Sequence, residues 1–250
     1  MHQTAGASAG YVEALAQLRC REDLQLFVIL PFTSLDRVAA VAHRAGIWVG
    51  AQNMHWAESG EYTGEISAPM LRDLDVDLVL LGHAERRWVF HEDDRTIARK
   101  VRSALAHGLR VVLCVGETAD ERDCGAAALS IARQLTIALA GVTEPERVIV
   151  AYEPVWAIGA AGTPPDPAAI AAAAATIRAT CDAPLLYGGS VTAASAPGFA
   201  GVPGIDGLFV GRAAGSAAGF ARTLAAAYPH LMMDHDPRSN DRISEKEAQR

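Results

Sequence analysis

The chain has 250 residues, half of them hydrophobic, and a formal net charge of −7. That length suits one α/β barrel or at most two smaller domains, with ample apolar material for a large core. The acidic balance argues against a nucleic-acid partner, but not against an anionic small substrate, because local amides and arginines set the field inside a pocket.

A helix is predicted first, over 8–19. The run LQLFVIL (24–30) follows, continuous rather than alternating, as suits a parallel strand covered on both faces. A helix over 34–45 starts at Ser34, an N-cap type, and stops at Gly46. Then come a strand at 47–51, a helix at 67–74 and a strand at 77–81. The helix at 94–107 has Asp94 where a cap belongs and ends before Gly108. The rest alternates in the same way: strands at 110–115, 148–152, 184–187 and 207–210, with helices at 120–140, 167–181, 192–200 and 213–227. This is the βα signature of an α/β protein. No Pro/Ser linker or charge block divides it, so 1–233 is expected to be one domain. Residues 234–250 have almost no apolar side chains and are expected to form a disordered tail.

The count is informative: eight helices but seven strands, with a helix where a closed barrel starts with a strand. A doubly wound open sheet tolerates that beginning. A closed eight-stranded barrel does not, since two strand edges stay unpaired.

Cys20, Cys114, Cys124 and Cys181 are scattered without C-x-x-C spacing, so no zinc site or redox motif is indicated and reduced thiols are expected. The first ten residues lack the basic start and apolar stretch of a signal peptide. The most apolar helix, near 167–177, is too short to span a bilayer. No membrane association is expected, and the cytoplasm is the expected location.

Four clusters fall just after predicted strands, on the rim where barrel enzymes place their sites. His83, after Gly82 in LGHAERR (81–87), is placed to meet a substrate oxygen or, alternatively, simply packs at a strand end. Glu153, ending a strand before the apolar segment PVWAIG, is either a base beneath a lid or part of a capped turn. YGGSV (187–191) and VGRAA (210–214) are glycine-rich strand-to-helix turns of the kind that offer backbone N–H groups to a phosphate. Two such turns in the last two βα units, with a strand-end Glu and His, point to one site far better than any of them alone.

These segments resemble triosephosphate isomerase. The similarity runs through VGAQNMHWAESGEYTGEIS (49–67), LGHAERR (81–87), CVGET (114–118), AYEPVWAIG (151–159), YGGSV (187–191) and GLFVGR (207–212), in the family's order over about residues 11–227. The resemblance implies a TIM (β/α)₈ barrel acting on a small phosphorylated sugar without metal or organic cofactor. It implies that Glu153 is the base that removes the proton α to the carbonyl, and His83 a neutral imidazole that polarises the carbonyl. Pro154–Gly162 corresponds to a mobile lid, and Gly159, Ser190, Gly211 and Arg212 to positions whose backbone N–H groups hold the phosphate. Thr63 corresponds to the tip of a loop inserted into a partner, so a homodimer through the 52–66 loop is implied. Met54, Trp56 and Tyr62 on that loop are expected to seek a partner surface.

Three departures stand out, one of them Ala84 in place of the serine in the family's usual G-H-S-E. The family's segment W-K-M-N-K-T, which ends the first strand and carries a lysine aimed at the substrate, aligns so that only Met1-His2-Gln3-Thr4 is present. Two readings are open: a start assigned at an internal methionine, or a shortened product. Glu85, which pairs with that lysine in the family, is then expected either to have its pKa raised or to carry an uncompensated charge. A chain beginning at Met1 is expected to be a poor folder and a poor catalyst. The family's Gly-Gly after the last strand is Gly211-Arg212 here, and the Arg212 side chain either reaches the phosphate or points outward. Gly211-Arg212 and Trp56 resemble the branch that isomerises erythrulose phosphates. The first expectation is interconversion of dihydroxyacetone phosphate and glyceraldehyde 3-phosphate. The alternatives are a tetrulose-phosphate isomerase and a truncated, inactive barrel chain.

Overall fold

A computed structural model describes residues 1–158, 162 and 164–233. All seven predicted strands are present: β1 (Phe27–Leu30), β2 (Trp48–Ala51), β3 (Leu78–Leu81), β4 (Arg110–Val115), β5 (Val148–Tyr152), β6 (Leu185–Tyr187) and β7 (Gly207–Leu208). They form one sheet in chain order, and every neighbouring pair is parallel. No eighth strand pairs with β1 or β7 among the described residues. The sheet nonetheless curls: the Phe27 ring on β1 stacks on Phe209, just past β7, with centroids 6.2 Å apart. The chain therefore forms a TIM-type barrel sheet that is one strand short.

The helices are α1 (Ala5–Leu15), α2 (Leu35–Arg44), α3 (Ala68–Asp73), α4 (Ala84–Trp88), α5 (Asp94–Ala106), α6 (Ala119–Asp123), α7 (Ala127–Ala138), α8 (Pro167–Thr180), α9 (Ala196–Ala200) and α10 (Ala217–Ala227). The amphipathic spacing explains which faces they bury. On α2 the buried residues are Leu35, Val38, Ala39 and Ala42, and on α5 they include Ile97, Val101, Ala104 and Leu105. These faces join the outer faces of the strands in one large cluster, while a small cluster around Leu78, Leu80, Val112, Cys114 and Ala151 lies inside the curve. Among the described residues, no helix is long and apolar enough to cross a membrane.

Several expectations change in detail. The helix expected at 120–140 is two helices, because Gly125 at φ +77° breaks it. The helix expected at 192–200 is confined to α9, and α4 is a short helix beyond the eight longer ones predicted. Ser34 precedes α2, but its buried hydroxyl has no hydrogen-bond partner among the described residues and does not cap the helix. The cap of α5 is Asp93, whose carboxylate accepts from the Thr96 N–H at 2.7 Å, rather than Asp94. Asp94 is instead drawn to Arg87 Nη1 at 2.6 Å. The stop glycines behave as expected: Gly46 and Gly108 have φ of +70° and +76°. The expected tail at 234–250 lies outside the described residues.

Candidate active site

The C-terminal ends of β3, β5, β6 and β7 bring the site together. Glu153 directly follows β5, and its N–H continues the ladder to Val115 O at 2.8 Å. The residue is only 6 % exposed, and one carboxylate oxygen is buried with no hydrogen-bond partner among the described residues. Burial therefore pushes its carboxyl above the usual range, partly offset by the facing His83. The Cys114 thiol, read from sequence only as a scattered cysteine, lies beside it and is itself pushed well up by burial. Backbone packing leaves no choice of side chain at Gly116, where a Cβ would lie 2.0 Å from Glu153 O.

His83 follows β3 through Gly82, whose φ is +73°. The turn is held by Arg87, which donates to Gly82 O at 2.7 Å and to Cys114 O at 3.2 Å. Sequence reasoning gave Arg87 no role. His83 is the N-cap of α4, and its Nδ1 accepts from the Glu85 N–H at 3.2 Å. In a neutral ring the hydrogen then sits on Nε2. That Nε2 faces Glu153 Oε1 at 3.6 Å, too long for a direct hydrogen bond and close enough for both to act on one molecule. Glu85 is exposed and forms no ion pair among the described residues, so its charge is solvated rather than stranded.

The two glycine-rich turns meet on the other side of Glu153. Gly188 lies against it: a Cβ there would be 3.2 Å from Glu153 Cγ. Tyr187, fully buried, donates to Gly189 O at 2.9 Å and holds the turn. Ser190 sits at φ +49°, an uncommon conformation for a side-chain-bearing residue. The backbone N–H groups of Ser190 and Gly211 find no acceptor among the described residues. The Ser190 hydroxyl donates to Ala157 O at 2.7 Å. Arg212 is exposed, and its Nη2 lies 3.4 Å from Ser190 Oγ. Gly159 lies outside the described residues.

The start of the expected lid is anchored by a residue that sequence reasoning missed. Glu117 is buried and accepts from Trp156 Nε1 at 2.7 Å and from the Tyr152 hydroxyl at 3.2 Å. Its backbone carbonyl also ties in, accepting from the Val155 N–H at 3.0 Å. Arg122 covers the Trp156 ring at 4.2 Å. The only sequence signal was the glutamate within CVGET (114–118), which is an ordinary strand-end carboxylate until the fold brings a tryptophan to it.

The 52–66 loop corrects one expectation. Met54 is fully buried within its own chain and presents nothing to a partner. Trp56 is half-buried under Arg99, whose guanidinium lies 4.0 Å from its ring. His55 packs between Trp56 and Tyr62, with centroids at 3.9 and 4.1 Å, and stiffens the loop. Tyr62 and Thr63 remain exposed at the tip.

Residues 1–227 match the family Triosephosphate isomerase. The chain belongs to that family. It is 40 % identical to the L-erythrulose-1-phosphate isomerase of Rhizobium rhizogenes, over 94 % of this chain and 94 % of the relative. It is 43 % identical to the protein of that name from Mesorhizobium japonicum, over 91 % of this chain and 94 % of the relative. It is 40 % identical to the one from Brucella abortus biovar 1, over 90 % and 92 %. As a member of this family the chain is an isomerase-type enzyme.

Proposed function

We propose that the chain isomerises L-erythrulose 1-phosphate, with Glu153 as base and His83 as electrophile. The observation that carries the chemistry is the His83–Glu153 pair at 3.6 Å beside two turns with uncommitted N–H groups. The choice of a four-carbon substrate is supported by relatives at 40–43 % identity that bear that name. It reverses the order of the sequence-based expectations, which put the triose phosphates first.

Both substrates carry a carbonyl next to the phosphate-bearing carbon. Glu153 takes the proton from the far carbon α to that carbonyl, while His83 Nε2–H donates to the carbonyl oxygen. The enediolate then moves the hydroxyl proton across His83 and takes back a proton on the carbon that was the carbonyl. In dihydroxyacetone phosphate the far carbon is terminal, and the product is an aldehyde. In erythrulose 1-phosphate it carries a further CH₂OH, and the product is a second ketose phosphate. The N–H groups at Ser190 and Gly211 hold the phosphate, and the lid from Pro154 excludes water from the enediolate. Glu117 gives that lid a fixed root.

The 52–66 loop, with Tyr62 45 % exposed at its tip, is read as the contact with a second copy. Trp88, Val89 and Phe90, more than half exposed on the next βα unit, extend the apolar surface that such a partner would cover.

The test is an NMR assay in D₂O on both substrates. Exchange and turnover of erythrulose 1-phosphate at the higher kcat/KM is the expected result. Turnover of dihydroxyacetone phosphate alone would return the triose reading.

A further inference from the structure

We propose that Arg87 is the positioning residue of the catalytic pair: one guanidinium clasps the backbone that leads into His83 and the strand end on which Glu153 docks, and so fixes the spacing between them. This rests on the isomerase reading above.

Arg87 lies on α4 and folds back against the turn that carries His83. Its side chain is 13 % exposed, and every guanidinium nitrogen is engaged. Nε donates to Gly82 O at 2.7 Å, the carbonyl of the peptide that leads into His83. Nη2 donates to Cys114 O at 3.2 Å, the carbonyl of the peptide that leads into Val115. Val115 O in turn accepts from the Glu153 N–H at 2.8 Å. β3 and β4 pair only as far as Leu81 and Leu113, so past that point the guanidinium takes over the tie between the two strands. The fit is close: Gly82 sits at φ +73°, and a Cβ there would lie 2.9 Å from Cys114 O and 3.0 Å from Arg87 Nη2. Nη1 is held by Asp94 Oδ1 at 2.6 Å, and Asp94 Oδ2 meets Arg133 Nε at 3.4 Å. Asp94 thereby aims the fork from the first turn of α5. A planar guanidinium with donors in fixed directions spans two carbonyls and a carboxylate at once, whereas a lysine ammonium is a point charge on a flexible stem. The guanidinium also places a charge near Glu153. His83, Cys114 and Arg87 favour the ionised carboxylate there, and burial and Glu85 oppose it.

The experiment compares the wild type with Arg87→Met, Arg87→Lys and Asp94→Asn, with Tm measured on each. kcat and KM on the sugar phosphate read the spacing. A misplacement of about 1 Å costs on the order of 10²-fold in rate, so kcat should fall by that much in both Arg87 variants with KM nearly unchanged. Asp94→Asn should show the same pattern, less severely. Carboxyl carbon NMR of Glu153 reads the charge. Its titration should move to higher pH in Arg87→Met, where the cation is gone, and stay in place in Arg87→Lys. The acidic limb of kcat/KM should follow it, since the base works ionised. A folded Arg87→Met with kcat near wild type would overturn the proposal. Full kcat in Arg87→Lys would mean that the charge acts without the clasp and would overturn it too. So would a variant whose KM rises as much as kcat falls while the Glu153 titration stays in place, the pattern of an arginine that only supports the fold. If Arg87→Met does not fold, Arg87→Lys and Asp94→Asn are judged by the same kcat and KM criteria. A wild type that turns over neither sugar phosphate would sink the isomerase reading. Arg87 is then judged by the Glu153 carboxyl and His83 ring signals, which need no turnover: both should shift in Arg87→Met, and unchanged signals would overturn the clasp.

Discussion

His83 Nε2 and Glu153 Oε1 face each other at 3.6 Å, with the imidazole tethered at its other nitrogen by a backbone N–H and the carboxylate buried behind it. The tether sets the tautomer, and the burial sets the basicity. Each half of the pair is positioned by a different strand end, β3 for one and β5 for the other.

Shortening Glu153 to Asp draws the carboxylate back by about one methylene. A displacement of about 1 Å costs on the order of 10²-fold in rate, so kcat should fall by that much with phosphate affinity retained. Retention of most of kcat would remove Glu153 as the base.

Glu153→Gln tests the burial. The folded-state pKa is raised above 4.5 because the carboxylate is desolvated. Ionising it therefore opposes folding, and the wild type loses stability as pH rises from the unfolded value through the folded one. Gln removes that cost. Its Tm should exceed the wild type at pH 8, by on the order of 2–4 °C for each kcal/mol relieved, and match it at pH 4. Activity should vanish, and in the wild type the acidic limb of kcat/KM should lie above pH 4.5. Equal melting at both pH values would contradict the account.

The His83 ring should show hydrogen on Nε2 and a bare Nδ1 by nitrogen NMR at pH 8, because Nδ1 accepts from Glu85 N–H. The opposite tautomer would rule out His83 as donor to the carbonyl. His83→Gln, which keeps a polar tip but cannot shuttle protons in the same way, should lower kcat by about 10²–10⁴.

Glu117→Ala leaves the Trp156 Nε1–H and Tyr152 hydroxyl without their acceptor. The buried orphans should cost about 1–3 kcal/mol each at most, seen as a lower Tm. Trp156 fluorescence should also shift as its ring loses its anchor. Glu117→Gln, which keeps one acceptor, should recover most of the Tm. A native melt for Glu117→Ala would mean that the lid root is held elsewhere.

Gly116→Ala places a Cβ 2.0 Å from Glu153 O, a backbone atom that cannot swing away. Either the β4 or the β5 end must move, so activity should drop steeply even where the protein still folds. Gly6→Ala, in open space on α1, is the control and should be neutral or slightly stabilising. Full activity in Gly116→Ala would show that the strand ends are looser than the packing implies.

Sequence by itself determined the strand count, the chain order and the two catalytic candidates. Short β-branched runs between amphipathic helices have one economical arrangement, a parallel sheet with the site at its C-terminal rim, and Glu153 and His83 sit directly after such runs. Local rules also found the stop glycines, since a positive φ is a local demand. Other features were decided only by tertiary structure. Met54 looked available to a partner and is fully buried; Asp94 looked like a cap and is bound by Arg87; and Glu117 carried no signal until Trp156 reached it. In each case the outcome depends on a contact between separate elements of the fold, which for Glu117 and Trp156 come from different βα units. Pattern and propensity act over a few residues, whereas the direction of a long side chain is set by whatever the folded sheet brings within about 4 Å of it.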